Sequence, residues 1–139
     1  MSIDFTPHSR CLLFLDTCHS GGIDPDLLTG FRGSPINNTE AIRELASEEY
    51  GIVVMAASTG KEFSVERKEW GHGAFTKALL DGLQEGKADY SGDGIIYIDE
   101  LAMYVYERVK KLTDGKQHPT TQIPGTIKRF PVFQLKSRE

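Results

Sequence analysis

The chain has 139 residues, 39% of them hydrophobic and 26% charged, with 6 Pro, 14 Gly and 2 Cys. That composition fits one globular domain over 1–139 and excludes a disordered tail, a fibrous repeat and a multi-disulfide secreted scaffold. The formal net charge of −4 offers no basic field for phosphates, so nucleic acid is not expected as a partner. No apolar stretch reaches the roughly 18–20 residues that cross a bilayer, and residues 1–4 lack a basic and hydrophobic leader. A cytoplasmic protein with no membrane partner is therefore expected.

In chain order, the first element is the unalternating apolar run Cys11-Leu12-Leu13-Phe14-Leu15, ending at Asp16. Such a run predicts a strand buried on both faces of a parallel sheet, with Cys11 in the core. A Gly/Pro/Asn-rich loop follows, then a helix start in which Asn37 and Glu40 have capping-box spacing. The run 52–57 predicts a second strand, ending at Ser58-Thr59-Gly60. Strand, helix, strand makes a crossover unit of an α/β layered fold. Phe75, Ala78, Leu79, Gly82 and Leu83 form a helical stripe ended by Gly86. Leu101, Val105, Val109 and Leu112 mark another helix, from near Asp99 to Gly115. His118 falls in a Pro/Thr/Gln loop before the last apolar segment, 130–135, which carries Pro131 and is placed at a sheet edge.

In α/β sheets chemistry gathers at the carboxyl ends of strands, where Asp16-Thr17-Cys18-His19-Ser20-Gly21-Gly22 begins. Extended backbone would set the Asp16 carboxylate and the Cys18 thiol on one side. The glycines allow a sharp turn that leaves amides facing an oxyanion near the sulfur.

The stretch Leu13-Phe14-Leu15-Asp16-Thr17-Cys18-His19-Ser20-Gly21 resembles the nucleophile strand and loop of caspase-like cysteine peptidases, particularly metacaspases and their bacterial relatives. The resemblance continues through 56–58, 71–80, 88–101 and 118–122. It implies the caspase-like (caspase-hemoglobinase) layered fold with a mostly parallel sheet, incomplete at its N-terminal side. It implies an endopeptidase acting on peptides or proteins after Arg or Lys, with no required cofactor. By the same resemblance Cys18 is the nucleophile and Asp16 lines the S1 pocket. Ser58 adds a wall to that pocket, and the Cys18 and Gly21 amides bind the oxyanion.

The family's base histidine follows an earlier strand, about 50 residues before the cysteine in caspases, and Cys18 has fewer residues than that before it. His8 follows no strand, His19 diverges from its neighbour, and Gly71-His72-Gly73 opens a helix, so none meets the pattern. The expectation is a partial domain, of low activity in isolation, completed by another chain or by a homo-oligomer. The alternative is a noncatalytic interaction or regulatory module on the same scaffold.

A second constellation follows calcium-loop spacing over 89–100. Asp89, Ser91, Asp93, Ile95 and Glu100 stand at positions 1, 3, 5, 7 and 12, and Gly94 at position 6. Calcium is the candidate ligand; the other reading is a tight turn whose Asp and Gly serve backbone geometry. No zinc spacing, phosphate loop or dinucleotide fingerprint is present.

Overall fold

Two apolar runs lie side by side as parallel strands. The computed structural model describes residues 11–16, 51–57, 66–68 and 72–136. Strand β1 (Cys11–Leu15) pairs in parallel with β2 (Ile52–Ala56), from Cys11 opposite Ile52 to Leu15 opposite Ala56. The expected helix around 37–45 lies outside the described residues.

Of the two runs, only β2 is an inner strand: Val53, Val54, Met55 and Ala56 are all buried. β1 is not buried on both faces as its composition suggested, and Cys11 is exposed instead of core. The difference lies in partners, because β2 is flanked by strands on both sides and β1 has one neighbouring strand among the described residues. The short polar segment Thr120–Gln122 forms β6, which closes over β2 antiparallel, with Ala56 opposite Thr120 and Val54 opposite Gln122. The described sheet is therefore mixed, in the order β1-β2-β6, rather than mostly parallel.

Two smaller pairings account for the other described strands. β3 (Glu66–Arg67) and β4 (His72–Gly73) are antiparallel. β5 (Ile95–Tyr97) pairs antiparallel with β7 (Pro131–Gln134), and the register shifts between Ile96 and Tyr97. Pro131 stands at that irregularity, opposite Tyr97, where a missing N–H is tolerated.

Helix α1 (Ala74–Leu83) buries Ala74, Phe75, Ala78 and Gly82, and α2 (Ile98–Leu112) buries Ile98, Leu101, Val105 and Val109. Both stripes repeat at three- and four-residue steps and face one core with Val53, Met55 and Ala57 of the β2 segment. Asp99 and Glu100 occupy the first turn of α2, and Lys110 and Lys111 its last, each sign matching the helix dipole. Gly115, at φ +76°, terminates α2 by donating its N–H to the Lys110 carbonyl at 2.8 Å. Among the described residues no helix is long and apolar enough to cross a membrane.

Candidate active site

Asp16 is the first residue past β1 and is exposed at the strand's carboxyl end. Thr76, in the first turn of α1, donates from Oγ1 to Asp16 Oδ2 at 2.7 Å. Gly73 precedes the helix without a side-chain cap, and the first turn of α1 has no acidic residue of its own. Asp16 thus brings a carboxylate from a distant strand to the positive end of this helix.

The neighbouring strand end is equally fixed. Ala57 donates its N–H to the Leu15 carbonyl at 2.9 Å, extending the β1–β2 ladder by one residue. The Ala57 carbonyl accepts the side-chain amide of buried Gln117 at 2.7 Å. Gln117 in turn donates its backbone N–H to Thr113 Oγ1 at 3.1 Å, and that hydroxyl donates to the Val109 carbonyl at 2.9 Å. A buried polar chain so ties the carboxyl end of β2 to the C-terminal turn of α2, and no buried side-chain nitrogen or oxygen among the described residues lacks a partner.

Asp16 is thus placed at the joint carboxyl ends of two parallel strands and the amino end of α1. Cys18, Gly21 and Ser58 lie outside the described residues, as do His8 and His19. The backbone of His72 sits in β4 opposite Arg67. The His118 ring packs 6.2 Å from the Tyr106 ring of α2. Two contributors were not legible in sequence, Thr76 and Gln117. Each acts on a partner 60 positions away, and no local pattern announces such a contact.

The 89–100 segment is organised by hydrogen bonds from its own backbone. Asp89 Oδ1 accepts the Gly92 N–H at 2.9 Å and the Ser91 hydroxyl at 3.2 Å, and Oδ2 accepts the Gly94 N–H at 2.9 Å. Asp93 Oδ1 accepts the Ile95 N–H at 2.9 Å, which holds the Asp93 carboxyl below its ordinary pKa. Glu100 is nearly buried. It receives the Ser91 N–H at 3.0 Å on Oε2, and the Tyr97 N–H at 3.2 Å and Arg129 at 3.4 Å on Oε1. The Tyr97 contact caps α2.

These are the bonds of a tight turn whose carboxylates accept its own backbone amides. Among the described residues no group of three or more His, Cys, Asp or Glu side chains is arranged to hold a metal ion. Arg129 braces the segment from outside, 2.7 Å from Asp99 Oδ1 and with its guanidinium carbon 3.8 Å from the centre of the Tyr97 ring.

A family model described as the Caspase domain matches residues 2–131. Comparison with curated proteins and with solved structures gave no match.

Proposed function

The chain belongs to the caspase-domain family of cysteine peptidases, and from that premise we propose that it is an endopeptidase of metacaspase type that cleaves after Arg or Lys. The observation that carries this reading is the Asp16 carboxylate, held at the carboxyl end of β1 by Thr76 and two residues before Cys18. An anion fixed beside the nucleophile's strand suits a cationic P1 side chain and repels an acidic one.

In the proposed reaction the Cys18 thiolate attacks the scissile carbonyl carbon, and the oxyanion is received by the Cys18 and Gly21 amides. The C–N bond then breaks, the amine leaves with a proton, and water hydrolyses the thioester to release the acid and restore the thiol. Ser58, one residue past the anchored Ala57, contributes a wall of the P1 pocket. The proton is handled by a histidine other than the four in this sequence, brought by another segment or by a partner chain. His118 is packed on Tyr106, and His8, His19 and His72 lack the family's strand context.

Matched fluorogenic peptides with P1 Arg, Lys or Asp test this reading. With the segment or partner chain that supplies the histidine present, cleavage after Arg and Lys is expected, with Cys18→Ala falling to background. Asp16→Asn is expected to lose about 10- to 100-fold in kcat/KM on the basic substrates, the range for a hydrogen bond between charged groups. Preference for P1 Asp, or indifference to Asp16→Asn, contradicts it.

A further inference from the structure

An exposed carboxylate at a strand end rotates about two side-chain torsions, and a guanidinium fork needs its plane aligned with the carboxylate plane. Charge alone does not set that plane. Thr76 acts on it: its Oγ1 donates to Asp16 Oδ2 at 2.7 Å, which holds that oxygen in place.

Thr76 is itself held firmly. Ala74 and Phe75 before it are buried, at 0% and 1% exposure. Lys77 after it is paired at 2.8 Å with buried Asp81, which also binds Arg108 of α2 at 3.2 Å. Its β-branched side chain has few rotamers in a helix. The donor therefore comes from a rigid turn rather than from a loop.

We propose that Thr76 is a specificity-positioning residue: it orients the Asp16 carboxylate so that a P1 guanidinium binds through two parallel hydrogen bonds, which favours Arg over Lys. The proposal rests on the reading of Asp16 as the P1-binding carboxylate. An ammonium group is a point charge with rotatable donors and is indifferent to the plane of the carboxylate, so it gains little from this orientation.

The test compares wild type, Thr76→Val, Thr76→Ala and Thr76→Ser on matched P1 Arg and P1 Lys peptides, each assayed with the segment or partner chain that supplies the histidine. Thr76→Val keeps the shape and removes the donor. It is expected to raise KM for the Arg peptide about 10-fold, to change kcat less than about 2-fold, and to bring the Arg/Lys ratio of kcat/KM toward one. Thr76→Ser, which restores a hydroxyl, is expected to keep the ratio within about 3-fold of wild type, and Thr76→Ala to behave as Thr76→Val. A purely structural role would lower activity on both peptides together.

A titration that needs no turnover accompanies this: benzamidine and n-butylammonium binding followed by NMR, with Asp16→Asn included. Weaker benzamidine binding in both Asp16→Asn and Thr76→Val, with n-butylammonium affected only by Asp16→Asn, is the expected result. If Asp16→Asn weakens benzamidine but Thr76→Val and Thr76→Ala change neither that affinity nor the Arg/Lys ratio, the role of Thr76 is overturned and that of Asp16 stands. If Asp16→Asn binds benzamidine as wild type does, the reading of Asp16 fails and the role of Thr76 falls with it.

Discussion

Asp81 lies buried between α1 and α2, and its charge is tolerated only because two cations reach it. Lys77 sits 2.8 Å from one oxygen and Arg108 3.2 Å from the other. Burial pushes the Asp81 pKa up, but the hydrogen bonds and charges of Lys77 and Arg108 outweigh it and hold the group below its ordinary 3.8. A carboxyl lowered by folding stabilises the protein above its unfolded-state pKa, and that stability is lost as pH falls through the lower folded-state value. Asp81→Asn is therefore expected to cost about 2–3 kcal/mol at pH 7, toward the low end for a broken buried pair because both cations are partly solvated. Chemical denaturation at a series of pH values should show that cost shrinking below about pH 3.8; a pH-independent cost contradicts the assignment. Asp89 makes a different kind of residue-scale prediction, since its two oxygens gather three donors of the 91–94 turn. Asp89→Ala is expected to lose about 1–2 kcal/mol in EDTA, where no cation can account for the loss. The carboxylates at 89, 93 and 100 were legible in sequence as one set, open to a calcium-loop and to a tight-turn reading. Which donors they accept was not, because metal-loop spacing and turn spacing place the same residue types at the same positions.

At the scale of elements, both described helices were readable from their apolar stripes, to within a residue of their starts and three residues of their ends at Leu83 and Leu112. Gly82 is the exception that needs the structure: it stands inside α1, where glycine is a poor choice by about 1 kcal/mol relative to Ala. The reason is close packing against α2. A Cβ at Gly82 would lie 2.9 Å from Tyr104 Cδ1 and 3.3 Å from the Ala88 Cβ. Gly82→Ala is therefore expected to destabilise by about 1–2 kcal/mol despite its better helix propensity, and a rise in Tm would contradict the close α1–α2 approach. Strand β6 shows why short polar strands escape sequence reading. Thr120, Thr121 and Gln122 have no alternation and lie between Pro119 and Pro124. Their place is set by the β2 ladder they pair with. β5 was hidden in the same way inside a segment read for its carboxylates.

For the whole molecule, the α/β character could be argued from two apolar runs and one motif. What could not be argued was which run is central: both are continuous and apolar, and the count of neighbouring strands among the described residues separates buried β2 from half-exposed β1. That correction gives the proposed chemistry a built-in control. Cys11 is an exposed thiol on β1, one strand length from Asp16, so it competes for any reagent whose reaction depends on access alone. The decisive measurement is labelling of the protein, together with the segment or chain that supplies the histidine, with matched peptidyl chloromethyl ketones bearing P1 Arg or P1 Asp, read by intact mass and peptide mapping. The thiolate displaces chloride and forms a thioether, so the modified residue is identified directly. Arg-selective modification confined to Cys18, with Cys11 slow and the selectivity lost in Asp16→Ala, is the predicted result. Labelling indifferent to P1 and shared between Cys18 and Cys11 would contradict a peptidase site directed by Asp16.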